Sequence, residues 1–308
     1  MASATETQAP SVARATLLVL LSACCFASIP IFTVLATRTG VQLATVLAWR
    51  YLIACVGFIV VARSIDRLRV PRGALRDIVL LGGGGQAVIG ATELSALRWI
   101  PAATMVFLFY TYPAWVALFS AVRGTERLTT VRVVALLLSL GGIVVMVGAP
   151  GAADLDPRGV GLALGGAVFY ALYIPLLARL QTGTSPYAVS AWAVLTAGIL
   201  FVVVGTLAPG FVGAFTFTIG ATAWGCIIGL ALLSTTTAFL LFLRGLSTLG
   251  PVRTAIISTV EPFGAALLQT VVLGQPLGSG TIAGGAMIAA AVMLLQRSSS
   301  AAVSPAHE

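Results

Sequence analysis

Two carboxylates occupy positions where an ionised side chain is costly. Of the nine acidic residues, Glu6, Asp66, Asp77, Glu126, Asp154, Asp156 and Glu308 fall in polar tails, in loops or at the ends of apolar runs, whereas Glu93 and Glu261 lie inside such runs. Carboxylates kept within hydrocarbon mark ion or substrate paths by default. Thr254, Ser258, Glu261, Ala265 and Gln269 recur at spacings of four, three, four and four, which is one face of a helix. Lipid cannot satisfy such a face, so it must turn toward a cavity or the bundle interior. Pro262 follows directly, and its missing N–H frees a carbonyl for a polar ligand. The alternative is that Glu261 is hydrogen-bonded and stabilises a bend at this proline.

Glu93 shares its run with Gly82, Gln86 and Gly90 at spacings of four, four and three, a second small and polar face. Arg50 is the one basic residue inside an apolar run. At 1.5 Å per residue, Arg50 and Glu93 would lie about 8 to 12 Å below the same membrane face. Either they pair and lock or gate a cavity, or Arg50 reaches the headgroups and Glu93 meets hydroxyls. An unpaired Glu261 is a candidate carrier of a coupling proton. It could instead recognise a substrate ammonium group while Arg50 answers a carboxylate, which would suit an amino-acid-like zwitterion. Uncoupled diffusion is the third option. Tyr110, Tyr112, Trp115, Tyr170, Tyr173 and Trp192 could line the cavity or simply pack. The run Ser234-Thr235-Thr236-Thr237 could face the same space, although hydroxyls in membrane helices often bond their own backbone.

Other chemistries lack their residues. The single histidine, His307, is in the C-terminal tail, so neither a metal centre nor a histidine relay is expected. Cys24, Cys25, Cys55 and Cys226 have no ligand spacing and read as small packing residues. Gly82-Gly83-Gly84-Gly85 is followed by no Lys-Ser/Thr pair, so it serves close helix packing and not a phosphate. With no nucleotide motif and no nucleophile beside a base, the expectation is a protein that is not an enzyme, with no cofactor and no metal.

The elements that must hold these residues are membrane helices. The chain is 59% hydrophobic and only 8% charged, against roughly 25% charged in soluble domains. The candidate spans are 15–36, 43–61, 78–97, 102–122, 131–148, 160–177, 188–207, 221–243, 254–273 and 279–295, each near the length needed to cross about 30 Å of hydrocarbon. The first run is too long for a signal-peptide core and is expected to be retained. All 17 basic residues are arginines at the ends of these runs, apart from Arg50, and none forms a nucleic-acid patch. With the N-terminus inside, only Arg38, Arg98 and Arg158 fall on the outer side. Both termini are therefore expected in the cytoplasm, with the protein in the plasma or inner membrane.

The second half repeats the first at an offset of about 149 residues. Thr104 and Pro113 answer Thr254 and Pro262, Gly124 and Leu128 answer Gly274 and Leu277, Ala48-Trp49 answers Ala191-Trp192, and Pro30 answers Pro175. Ala193 stands at the place of Arg50, so the cavity should be electrically asymmetric. Five helices per repeat is an odd number, which makes the repeats inverted in the membrane with a site between them. The expected organisation is a tail over 1–14, a first repeat over 15–148, an external linker over 149–158, a second repeat over 159–296 and a tail over 297–308.

The stretch from Ala96 to Gly148, with Pro101, Pro113 and Gly124-Thr125-Glu126-Arg127-Leu128, and its echo from Gly250 to Leu295, with Glu261-Pro262 and Gly274-Gln275-Pro276-Leu277, resemble the drug/metabolite transporter superfamily, EamA branch. Gln275 stands where that pattern usually has an acidic residue. The resemblance implies an all-α carrier of ten transmembrane helices that moves small metabolites, often outward, through a central cavity. The expected function is secondary transport, by alternating access, of small polar or amphipathic metabolites such as amino-acid-like compounds or drugs. The alternative is a non-transporting membrane scaffold. The expected substrate-binding residues are Glu261, Glu93, Arg50, Gln86, Ser258, Gln269, Tyr110, Trp115, Tyr173 and Trp192, with the lipid bilayer as the other partner.

Overall fold

In the computed structural model the described residues are 12–63, 65–96, 99–100, 105, 108–125, 128–147, 156–273 and 278–301, and no strand occurs among them. Residues 1–11 and 302–308 of the two tails, most of the 149–158 linker, Arg98, Pro101, Thr104, Glu126-Arg127 and Gly274-Gln275-Pro276-Leu277 lie outside the described residues. The helices of the first half are α1 (Val12–Phe26), α2 (Ile29–Thr37), α3 (Leu43–Ala62), α4 (Arg72–Asp77), α5 (Gly84–Ala96), α6 (Tyr112–Val122) and α7 (Thr130–Val147). Those of the second half are α8 (Pro157–Leu180), α9 (Pro186–Leu207), α10 (Pro209–Val212), α11 (Ala221–Ala231), α12 (Ala238–Leu249), α13 (Pro251–Ser258), α14 (Val260–Leu273) and α15 (Ser279–Ala301).

Among the described residues, six stretches are long and apolar enough to cross a membrane: Val12–Thr37, Leu43–Ala62, Pro157–Leu180, Pro186–Leu207, Ala221–Leu249 and Pro251–Val272. Tyr112–Val122, Thr130–Val145 and Ser279–Leu294 are apolar but shorter. Large apolar side chains such as Val60, Val122, Leu207 and Val271 are exposed on the outer faces. Water would penalise such a surface, whereas lipid solvates it.

Several runs that read as continuous helices in the sequence are interrupted, and each interruption has a local cause. Ser28 separates α1 from α2 just before Pro30, and its hydroxyl donates to the Cys25 carbonyl at 2.6 Å. Thr111 precedes α6 and Pro113, donating to the Leu108 carbonyl at 2.7 Å. Thr259 separates α13 from α14 and precedes Pro262, donating to the Ile256 carbonyl at 2.6 Å. In all three, a proline that cannot continue the backbone ladder lies one to three residues on, and a hydroxyl satisfies a carbonyl near the break. Two further segments widen into π-helix: Ile78–Gly83 between α4 and α5, and Leu232–Thr237 between α11 and α12. They occupy equivalent places in the two halves, and π-turns inside α-helices frequently accompany function.

The helix pairings keep their pattern when the halves are exchanged. α3 packs on α9 and α7 on α15, each pair joining equivalent helices of the two halves. α1 packs on α12 while α5 packs on α8, a second pair related by the same exchange. Small residues permit these approaches. A Cβ added to Gly142 in α7 would meet the Gly284 carbonyl of α15 at 2.7 Å, the close backbone packing expected between membrane helices.

Candidate functional site

Arg50 is carried mid-helix on α3, and its side chain is buried at 7% exposure. Its Nε donates to Thr235 Oγ1 at 2.7 Å, and its guanidinium lies 5.0 Å from the centre of the Tyr51 ring. Thr235 sits in the second π-segment and its hydroxyl donates to the Leu230 carbonyl at 2.9 Å, so it receives Arg50 on a remaining lone pair. The hydroxyl run therefore does bond its own backbone, since Thr236 and Thr237 also donate to carbonyls five residues back. It also anchors the buried cation, which the sequence did not reveal.

Glu93 on α5 and Glu261 on α14 are both half-buried. Each interacts electrostatically with Arg50, and Glu261 also interacts with Glu93, so residues from α3, α5 and α14 share one interior site. Of the alternatives offered by the sequence for Arg50, a direct ion pair with Glu93 is not made among the described residues; the guanidinium is turned instead to Thr235 and the Tyr51 ring. The Tyr110 hydroxyl is directed at the Glu261 carboxylate and can donate to it. Gln86 Nε2 donates to the Tyr51 hydroxyl at 3.1 Å, and the Tyr51 ring stacks on Phe201 at 5.9 Å, so the polar face of α5 meets α3 and α9.

A ring cluster adjoins the carboxylates. Tyr112 lies 4.8 Å from Tyr170 and 5.8 Å from Tyr110 between ring centres, and Phe109 lies 5.5 Å from Tyr170. Tyr112 is within reach of Ser258, placing that buried hydroxyl beside the cluster. Tyr170 is the partly exposed ring, while Phe109, Tyr110 and Tyr112 are buried. Tyr112 and Glu261 occupy equivalent positions, each immediately before the proline of a broken helix.

Tyr173 stands one layer out, its ring 6.5 Å from Tyr170 and its hydroxyl donating at 2.6 Å to the Gly82 carbonyl of the first π-segment. A Cβ on Gly85 would meet the Tyr173 ring at 2.6 Å, so glycine is needed for this approach. The equivalent link in the other half joins Ser28 to Ser234 of the second π-segment, also at 2.6 Å. Trp115 instead packs its ring on Phe119, and no ring contact joins Trp115 or Trp192 to the tyrosine cluster among the described residues. Gln269 lies on α14, and its side chain is outside the described residues. Tyr51 and Phe109 are neighbours of the site that the sequence did not single out, and Thr235 is the member of the hydroxyl run that reaches it. Tyr51 follows Arg50 directly, but the other two become neighbours only through folding.

Two surface grooves lie elsewhere. One of about 340 Å³ runs between α5 and α8 over Leu81, Gly85, Val88, Phe169 and Tyr173. Another of about 300 Å³ runs between α5 and α9 over Ala87, Ala91, Phe201 and Val204. Both linings are apolar and open outward, the character of a lipid-facing surface, and neither includes Glu93 or Glu261. No group of three or more histidine, cysteine or acidic side chains suited to a metal ion occurs among the described residues.

Residues 13–148 and 157–297 each match the model of one family, described as the EamA-like transporter family. A solved crystal structure of a protein aligns over 96% of this chain and 100% of its own length, with a TM-score of 0.80 and 22% identity. At that identity the likeness concerns the fold alone. Curated proteins provide no match.

Proposed function

The chain belongs to the EamA-like transporter family, a family of membrane transporters of the drug/metabolite type, and from that membership we propose that it is a secondary transporter crossing the membrane ten times as two inverted five-helix repeats. Its cargo is a small polar or amphipathic metabolite, exported by alternating access to a site at the interface of the repeats. The observation that supports this reading is the meeting of Arg50, Glu93 and Glu261, from three helices and both halves, inside an otherwise apolar bundle. A scaffold would gain nothing from such a site, because each charge withdrawn from solvent costs several kcal/mol before pairing (about 2.5–3.5 per residue by insertion scales).

Substrate contact is assigned to Glu93, Glu261, Tyr170 and Gln86, which are partly exposed around the site. Arg50, Ser258 and Tyr110 act from behind as buried supports. Glu261 also carries the exchangeable proton when transport is coupled to one: the Tyr110 hydroxyl can donate to its ionised form, and a proton or a cargo group can occupy the rest of the carboxylate.

The test is flux in proteoliposomes under an imposed proton gradient, across amino acids, organic anions and lipophilic cations. Accumulation driven by the gradient in wild type, with exchange of cargo kept but the gradient response abolished in Glu261→Gln, is the expected result. Unchanged gradient-driven flux in Glu261→Gln would make this carboxylate structural, and absence of flux for every compound would favour the scaffold.

A further inference from the structure

Away from the interior carboxylates, we propose a second binding surface that does not depend on the cargo site: a cradle for the phosphate of an anionic lipid headgroup, formed by Arg67, Tyr187 and Arg244. The three residues come from distant parts of the chain. Arg67 lies on the short helical turn Ile65–Leu68 after α3, Tyr187 on the first turn of α9 and Arg244 in the middle of α12. Both guanidiniums converge on one ring, 5.8 Å from its centre for Arg67 and 5.5 Å for Arg244, and Arg244 Nη2 also donates to the Tyr187 hydroxyl. Both arginines are exposed, and no carboxylate pairs with either among the described residues. The polar groups gathered here are donors. Because the Tyr187 oxygen accepts from Arg244, its own O–H is left to donate, and no acceptor for it occurs among the described residues. The positive end of the α9 dipole, at Pro186, adds to the same place. Two cations and a hydroxyl donor around one ring match a phosphate, whose several oxygens accept from planar guanidinium forks.

The apolar surface beside the cradle identifies the phosphate as that of a lipid. Val56, Ile59 and Val60 are exposed on one face of α3, and the same helical spacing leads on to the exposed Arg63. α3 touches the turn that carries Arg67 and packs along α9, whose first turn carries Tyr187. An acyl chain lying on the α3 strip therefore brings its headgroup to the basic cluster, whereas a water-soluble phosphate or an acidic peptide has no use for the strip. Between Arg63 and Asp77 the chain holds five arginines, Arg63, Arg67, Arg69, Arg72 and Arg76, against two acidic residues, Asp66 and Asp77. Such a basic segment next to a membrane helix concentrates anionic lipids from the surrounding leaflet. Arg67 belongs to the first half and Tyr187 and Arg244 to the second, so a headgroup held here bridges the halves at the membrane surface.

The experiment uses the purified full-length protein in detergent and measures, by native mass spectrometry, saturable binding of phosphatidylglycerol and of phosphatidylcholine with the same acyl chains. Phosphatidylglycerol should bind at least about tenfold more tightly than the zwitterionic lipid. The double variant Arg67→Gln/Arg244→Gln should lose about tenfold or more of that affinity and leave phosphatidylcholine binding unchanged. Tyr187→Phe, which removes the hydroxyl donor and keeps the ring, should lose about two- to fivefold. Arg123→Gln/Arg179→Gln removes the same charge from two exposed arginines outside the cradle and should retain the phosphatidylglycerol affinity. Equal binding of the two lipids by wild type would overturn the proposal, and that comparison needs no variant, so a misfolded mutant cannot decide it. An equal loss in the two double variants would overturn it as well, by reducing the effect to general surface charge. Displacement of the lipid by millimolar inorganic phosphate would assign the cradle to a soluble phosphate, and tighter binding of polyglutamate would assign it to an acidic peptide; either refutes the lipid assignment.

Discussion

Arg50 of the first half is held by Thr235 of the second, 185 residues away, through a 2.7 Å hydrogen bond that ties the middle of α3 to a π-segment. The bond crosses between the repeats, so any relative motion of the halves must stretch or keep it. It also gives the only strongly basic group of the site a partner other than the cargo. Thr235→Val removes the acceptor while nearly preserving shape, and about 1.5–3 kcal/mol of stability should be lost in releasing a hydrogen bond to a charged group. Thermal unfolding in detergent should show a lowered Tm. A double-mutant cycle with Arg50→Ala should return a coupling of about 1–2 kcal/mol; a coupling near zero would show that the pair is incidental.

Tyr110 is directed at Glu261 from the residue pair that precedes α6. Tyr110→Phe removes the hydroxyl and keeps the ring, so cargo affinity should fall by about three- to tenfold, less than in Glu261→Gln, where the charge itself is gone. Cargo titrations on the two variants and wild type test the ordering. A larger loss in Tyr110→Phe than in Glu261→Gln would contradict it.

Gly85 and Tyr173 are in contact across α5 and α8, with room for no side-chain carbon between them. Gly85→Ala should therefore displace the ring and strain its hydroxyl bond to Gly82, costing about 1–3 kcal/mol as overpacking does. Gly84→Ala, one residue away, has open space at its Cβ and serves as the control that should unfold like wild type. Equal melting of the two variants would show that the α5/α8 contact is looser than described.

Orientation follows from the arginines. Single cysteines placed at Arg69 and at Phe217, in a background with Cys24, Cys25, Cys55 and Cys226 replaced, should react with an impermeant maleimide from opposite sides. Position 69 should label only in inside-out vesicles and position 217 only in right-side-out ones. The reverse pattern would put the termini outside and reverse the predicted direction of export.

Hydropathy, charge and helical periodicity are local properties, and what depends on them was legible in the linear sequence. The membrane class, the repeat and the placement of Glu93 and Glu261 on polar faces of apolar runs come from the order of residue types along the chain. The consequence of Pro262 could be seen too, because a proline removes the same backbone donor wherever it stands, whereas the breaks near Pro30 and Pro113 fall inside runs that read as continuous. The tertiary structure alone decided which groups meet. Arg50 is served by Thr235 and Tyr51 and not by Glu93, because the choice depends on how α3 crosses the second π-segment and on competing side-chain rotamers. Tyr170 joins Tyr112 and Phe109 while Trp115 and Trp192 do not, because ring contacts depend on helix rotation, to which composition is indifferent. The π-segments likewise carry no one-residue signature; they arise where backbone spacing yields to packing from the opposite half.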